Sequence, residues 1–208
     1  MAVIAVDGPA ASGKGTVARA LAEHFGLPFM DTGLLYRAVA LNLWRWGGDP
    51  GNEFEALRAC DELNLDKGDP ELRSEPVSKI ASRISAYPGV RAALLERQQA
   101  FARQPGGAVL DGRDIGTVIA PDAQVKLFVT ATAEVRADRR KKELEARGMH
   151  ATYEDVLADI RSRDERDSHR QVAPLVPAKD AILLDTSGLD VEQAIAEAIR
   201  LTEGRLRS

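Results

Sequence analysis

Residues Gly8-Pro9-Ala10-Ala11-Ser12-Gly13-Lys14-Gly15-Thr16 decide the fold. They lie between a continuous apolar run, Ala2 to Val6, and a stretch in which Val17, Ala18, Leu21, Ala22 and Phe25 recur at three- and four-residue spacing. The run reads as a strand buried on both faces of a parallel sheet, and the repeat as a helix over Lys14 to Phe25 that Gly26 closes. Strand, glycine loop and helix in this order make a phosphate loop. Glycines let successive backbone N–H groups turn inward around an anion, the helix N-terminus adds a favourable dipole, and the Lys14 ammonium reaches the outer phosphate oxygens. A glycine turn beside a surface lysine is the plainer reading, but it leaves the flanking strand and helix unexplained. Gly15 follows Lys14, so the hydroxyl that usually stands there arrives one residue later, at Thr16.

Outward from the loop, strands are expected at Pro28 to Met30, Ala108 to Leu110, Val125 to Val129 and Ala181 to Leu184. Helices are expected over Leu34 to about Trp46, Glu53 to Leu63, Pro76 to Ala86, Val90 to Gln104, Glu134 to Arg147, Tyr153 to about Asp167, and Val191 to Leu201. The stretch from Asn64 to Glu75 has no clear period. Strands alternating with helices give an α/β fold with a mostly parallel sheet.

Composition removes several functions. Among 208 residues, 28 Lys and Arg stand against 32 Asp and Glu, a formal net charge of −4, and aromatics are 5%. A protein that coats nucleic acid or an anionic membrane needs a basic excess, and single-strand binding needs interleaved aromatics. The one cysteine, Cys60, cannot bridge within the chain, and the three histidines lack metal-ligand spacing, so Cys60 reads as a core thiol. The longest stretch without Asp, Glu, Lys or Arg is Gln171 to Ala178, and the apolar start has no basic region ahead of it. The expectation is therefore no membrane helix, no signal peptide and a reducing cytoplasm.

Arginines gather where the net charge hides them: Arg37, Arg113, then Arg136, Arg139 and Arg140, then Arg163, Arg166 and Arg170. Guanidinium forks suit phosphate. Arg136, Arg139 and Arg140 share a helix face at i, i+3 and i+4, and Arg163, Asp167 and Arg170 share another if their helix continues that far. Arg37 and Arg113 follow strand ends, where an open α/β sheet places its ligand crevice. For any single arginine, a solvated face braced by ion pairs is the equal alternative.

Gly-Lys-Gly-Thr resembles the loop of nucleoside monophosphate kinases such as the adenylate kinases. No Asn or Thr precedes a Lys, so the guanine signature of GTPases is absent. Nearly the whole chain resembles the bacterial cytidylate kinases, through the Gly8 to Thr16 loop, Asp31-Thr32-Gly33-Leu34-Leu35-Tyr36-Arg37, and Ser82 to Arg91. Leu110-Asp111-Gly112-Arg113-Asp114-Ile115-Gly116-Thr117 and Arg163 to Leu175 complete the set, whereas adenylate kinases usually carry Asp-Gly-Phe-Pro-Arg in the comparable place.

The resemblance implies a P-loop kinase with a five-stranded parallel sheet flanked by helices. Its core covers about 1–33, 105–138 and 152–208, a shortened helical CMP-binding segment about 34–104, and a short lid about 139–151. Many relatives carry a longer insertion with a small antiparallel sheet, for which the stretch after Leu63 leaves little room. The implied reaction moves the ATP γ-phosphoryl group to CMP or dCMP with Mg²⁺. Gly8, Pro9, Ala10, Ala11, Ser12, Gly13, Lys14, Gly15 and Thr16 would hold ATP, and Arg37, Arg113 and Arg170 the acceptor phosphate. Arg163 and Asp167 would meet the ribose. Ser82, Arg91 and Asp114 would read cytosine, with Tyr36 packed beside it and Thr32, where many relatives have Ser, supplying a hydroxyl. Arg139 or Arg140 would swing in from the lid, and Thr16, with Asp111 through water, would hold Mg²⁺. A carboxylate accepts from the cytosine amino group but faces the carbonyl of uracil, so Asp114 can discriminate. Turn capping is the alternative for both Asp111 and Asp114. A monomer is expected. The rivals are another small P-loop kinase acting on UMP, shikimate or a sugar acid, a nucleotide switch without turnover, and a nucleic-acid binder.

Overall fold

A computed structural model describes residues 2–207. The chain divides into two compact units, Met1–Met30 with Ala102–Ser208, and Asp31–Phe101.

The first unit is built on a five-stranded sheet. Its strands are β1 (Ala2–Asp7), β2 (Phe29–Asp31), β3 (Gly107–Gly112), β4 (Val125–Thr130) and β5 (Ile182–Asp185), in the order β2-β3-β1-β4-β5. β1 pairs in parallel with β3 and with β4, and β4 in parallel with β5. At the β2 edge, Val109 N–H donates to Pro28 O at 2.9 Å. Every residue of β3 and the last four of β1 are buried, as continuous apolar runs in a two-face-covered sheet should be.

Helices α1 (Lys14–Phe25) and α8 (Val191–Leu206) pack their apolar stripes on this sheet. Val17, Leu21, Ala194 and Ala198 join Ile4, Val6, Val109, Val125, Leu127 and Leu184 in one buried cluster. Gly26, at φ 64°, ends α1 in the left-handed conformation expected of a C-terminal glycine. A capping box between Asp190 and Gln193 starts α8. α6 (Ala133–Ala146) and α7 (Tyr153–His169) start at the Thr132 and Thr152 caps and pack together through Ala137, Leu144, Val156 and Ile160.

The second unit is helical: α2 (Gly33–Arg45), α3 (Glu53–Asp61) and α4 (Glu75–Ile84), then α5 (Pro88–Ala102), whose last residue is counted in the first unit. The stretch without a clear period contains a short 3-10 turn, Pro70–Arg73, started by Asp69, which accepts from Glu71 N–H. Between Gly33 and Ala102 no strand occurs. Cys60 is half-buried rather than fully in the core, and burial pushes its thiol up to about 11, which keeps it protonated.

Gly107 has φ +93°, and a Cβ there would stand 2.3 Å from Ala2 O on the adjacent strand. Gly107→Ala is therefore expected to destabilise the protein by about 2 kcal/mol or more. Urea unfolding checks this, and an unchanged midpoint would contradict the close strand approach.

Candidate functional site

Successive strand ends deliver the chemistry. In the β1–β3 register Asp7 lies opposite Gly112, so the loop after Asp7 starts beside Arg113 and Asp114. This is the switch point of a doubly wound sheet, where ligands bind.

The loop is tightly constrained. Gly8 sits at φ 156°, and a Cβ on it would stand 2.0 Å from Val129 O, so no side chain fits. Ala11 takes a left-handed φ of 57°, strain that a non-glycine residue keeps only where its surroundings enforce it. Two of those surroundings are arginines. Arg136 Nη1 donates to Ala10 O at 3.2 Å, and Ser12 O accepts from Thr186 Oγ1 at 3.1 Å and from Arg139 Nη1 at 3.5 Å. A trans peptide points its N–H opposite its C=O, so bonds that hold these carbonyls also aim the Ala11 and Gly13 amides. Gly13 stands at the N-cap of α1 and gives its first-turn amides no side-chain cap, the arrangement in which a helix N-terminus can bind an anion.

Asp111 explains the displaced hydroxyl. Its buried carboxylate lies 3.5 Å from Lys14 Nζ, and a Cβ at Gly15 would approach its other oxygen to 3.0 Å. Position 15 is crowded by this carboxylate, and Thr16 instead lines a neighbouring cavity of about 350 Å³.

Ala11, Ser12, Gly13, Val17 and Arg139 share the cavity wall with Thr186, Leu189 and Val191. Arg139 is fixed there. It donates to Thr186 Oγ1 at 2.9 Å, Thr186 O at 2.6 Å and Leu189 O at 3.3 Å. In this structure backbone carbonyls after β5 hold Arg139, one of the two expected lid arginines, against the cavity. Arg140 pairs with Glu143 at 2.8 Å. Nor do the three arginines of α6 act as one face. Arg136 is buried, spanning Asp164 with bonds of 2.9 and 2.6 Å and donating to Ala131 O at 2.9 Å. Sequence reading missed Thr186, Leu189 and Val191; the strand end at Asp185 was the signal that could have found the first of them.

On the other side of the loop, basic and acidic groups interlock. Arg113 Nε donates to Asp167 Oδ2 at 2.9 Å, and Arg170 Nη2 lies 3.7 Å from Asp114 Oδ1, all four side chains being largely buried. Burial by itself would raise the Asp167 carboxyl, but the charges of Arg113, Arg163 and Arg170 outweigh it and hold the group below the usual carboxylate range. α7 ends at His169, so the condition for a face shared with Arg170 is not met: Arg170 is its extended C-cap. Its Nε reaches Ala173 O, and Ala173 takes a left-handed φ of 52°. Arg170 thus leaves the helix face of Asp167 and lies beside Asp114.

Asp7 is also buried. Burial pushes its carboxyl up to about 7, against two backbone N–H donors that lower it, while Asp114 and Asp111 add repulsion. Asp114 occupies the N-cap of a short π-helix, Ile115–Ile119, and makes no side-chain cap bond, which removes its turn-capping alternative.

The second unit holds the other expected residues. Arg37 donates to Ser78 Oγ at 3.0 Å and Leu72 O at 3.4 Å. The Arg91 guanidinium lies 5.8 Å from the Tyr36 ring centroid and donates to Ser85 O at 3.1 Å. Thr32 and Ser82 are buried.

Because the folded-state carboxyl of Asp167 is depressed, its stabilisation is present above the unfolded value of about 3.9 and is lost as pH falls through the folded value. Asp167→Asn is expected to cost about 3 kcal/mol near pH 7. The difference from the parent chain should shrink below about pH 4, as denaturant titrations at several pH values would show; a pH-independent difference would contradict the charge cluster.

The family model described as cytidylate kinase matches residues 4–204. A protein named cytidylate kinase from Xanthobacter autotrophicus is 60% identical over 206 residues, 98% of each chain. Another of that name, from Paramagnetospirillum magneticum, is 56% identical over 201 residues, 95% of each chain. Among solved structures, an uncharacterized protein from Eubacterium ventriosum aligns with TM-score 0.56 and 14% identity over 98% of both chains. A gluconokinase from Sinorhizobium meliloti aligns with TM-score 0.52 and 18% identity over 99% of this chain and 94% of its own. The structural likenesses bear on the P-loop kinase fold alone, while the match along the sequence, with a phosphate loop facing a buried arginine cluster, means that this chain belongs to the cytidylate kinase family.

Proposed function

We propose that this protein transfers the γ-phosphoryl group of ATP to CMP or dCMP, giving ADP and CDP or dCDP. The observation that carries the reading is the arrangement at the adjoining ends of β1 and β3. A loop that aims amides at an anion stands beside Arg113 and Arg170, which are locked by Asp167 and Asp114. Phosphoryl transfer needs aligned donor and acceptor oxygens and positive charge around the moving group. Lys14 and the Gly8 to Thr16 amides serve the ATP phosphates. The adenosine end occupies the cavity bounded by Arg139, Thr186, Leu189 and Val191, which can supply a guanidinium face and apolar surface.

Arg37, Arg113 and Arg170 take the acceptor phosphate, Arg163 and Asp167 the ribose, and Asp114, Arg91 and Ser82 the cytosine, with Tyr36 and Thr32 beside it. Ion pairs already orient the Arg113 and Arg170 forks, so less freedom is lost when phosphate arrives. Among the described residues no three His, Cys, Asp or Glu cluster to hold a metal. A hydroxyl at Thr16 and the Asp111 carboxylate nonetheless fit Mg²⁺, which keeps several waters and takes its remaining oxygens from substrate phosphates. Bound there, Mg²⁺ would neutralise phosphate charge. No helix among the described residues is long and apolar enough to cross a membrane. A cytoplasmic, monomeric enzyme is the accompanying proposal.

Lys14→Ala is expected to lower kcat for CDP formation by roughly a hundredfold or more, since removing a charge-stabilising donor costs that much. The variant should remain folded, with a melting temperature a few degrees lower because the buried Asp111 carboxylate loses a cationic partner. Near-normal turnover in the variant would contradict the role of Lys14.

A further inference from the structure

Asp114 stands at the N-cap of the π-helix Ile115–Ile119, the position from which an Asp side chain ordinarily accepts from the first free amides of its own helix. It does not do so. The bonds go instead to Asp7, 108 residues earlier: Ile115 N–H donates to Asp7 Oδ1 at 2.8 Å. Gly116 N–H donates to Asp7 Oδ2, also at 2.8 Å. Both carboxylate oxygens are thus spent on two consecutive amides that the helix itself cannot satisfy. The Asp114 backbone carbonyl accepts from Val118 N–H at 2.9 Å and Ile119 N–H at 3.1 Å, so the turn begins at this residue.

We propose that Asp7 is a positioning residue for the acceptor site: by capping the Ile115–Ile119 helix in place of Asp114, it leaves the Asp114 carboxylate directed at Arg170 and fixes the backbone that carries Arg113 and Asp114. The proposal rests on the reading of Asp114 as the group that recognises cytosine. The register gives Asp7 its reach, since it lies opposite Gly112 at the end of the strand pair. Gly116 completes the contact from the other side. A Cβ there would lie 3.4 Å from Asp7 Oδ2 and 3.1 Å from Lys126 Cδ. Lys126 cannot easily withdraw, because its Nζ is held by Pro121 O at 2.6 Å and Asp180 at 2.9 Å. Without the Asp7 carboxylate, the Asp114 side chain becomes the nearest substitute cap and is drawn from Arg170 toward its own helix.

Asp7→Asn tests this, because an amide offers one acceptor oxygen and sets its own N–H donors against the second backbone donor. Hydrogen exchange at Ile115 and Gly116 is expected to speed up about tenfold, and KM for CMP to rise about tenfold, as a misplaced positioning group would cause. The preference for CMP over UMP should fall, while the Kd for ATP measured without acceptor stays within about twofold. Adding Asp7→Asn to Asp114→Asn should cause no further loss of that preference. Unchanged exchange at the two amides, or faster exchange with an unchanged KM for CMP, would overturn the proposal; the second result would leave Asp7 a merely structural cap. If Asp7→Asn does not fold, Gly116→Ala presses on the same contact and should shift exchange and KM in the same direction; no shift in either would overturn the proposal. Asp114→Asn alone examines the underlying reading. If that variant keeps the CMP preference, base recognition by Asp114 falls, while exchange and KM in Asp7→Asn still decide the capping role.

Discussion

The parallel pairing of β1 with β3, in the register that sets Asp7 against Gly112, is the constraint on which the site depends. It brings the anion-binding loop and the Asp111 to Gly116 segment together at one end of the sheet. Both strands are deeply buried there, so their register is held by packing along their whole length rather than by the loops. Gly8 against Val129 O and Gly107 against Ala2 O show how little tolerance remains. Each works because glycine lets one backbone approach another where a Cβ would collide.

Close approach places several carboxylates in poorly solvated surroundings, and each is settled differently. Asp167 and Asp114 face guanidinium groups, Asp111 faces Lys14, and Asp7 faces two amides. A buried charge is tolerable only when paired or well hydrogen-bonded, so the carboxylates and the basic groups hold one another in place. Two levels of support follow. Arg113, Arg170 and Lys14 present positive charge, while Arg136 and Arg139 bind loop carbonyls and determine where the amides point. An overall charge of −4 conceals this local balance.

Much of this was legible in the sequence. The α1 helix has the expected bounds, because a glycine at each end and a regular apolar stripe define it locally. Strands β1, β3, β4 and β5 lie within two residues of expectation, since buried parallel strands are short apolar runs ending in turn residues. The misses share a physical origin. The Ile115–Ile119 π-helix is capped from a residue 108 positions away, and no local pattern announces it. Arg170 lies beyond the end of α7, beside a left-handed Ala173, and meets Asp114 rather than continuing the helix face of Arg163 and Asp167. Arg136 and Arg139 diverge because carbonyls from Ala10, Ser12, Thr186 and Leu189 compete for them, and those partners lie on distant segments. Local chemistry could be read from spacing, whereas the partners of each arginine required the fold.

The most direct measurement follows ADP formation from ATP and Mg²⁺ by the intact chain, with CMP, dCMP, UMP, AMP and shikimate offered separately. Phosphoryl transfer to a cytosine monophosphate predicts turnover with CMP and dCMP well above that with UMP, and none with shikimate. Equal use of UMP and CMP, or tight ATP binding without turnover on any acceptor, would contradict it.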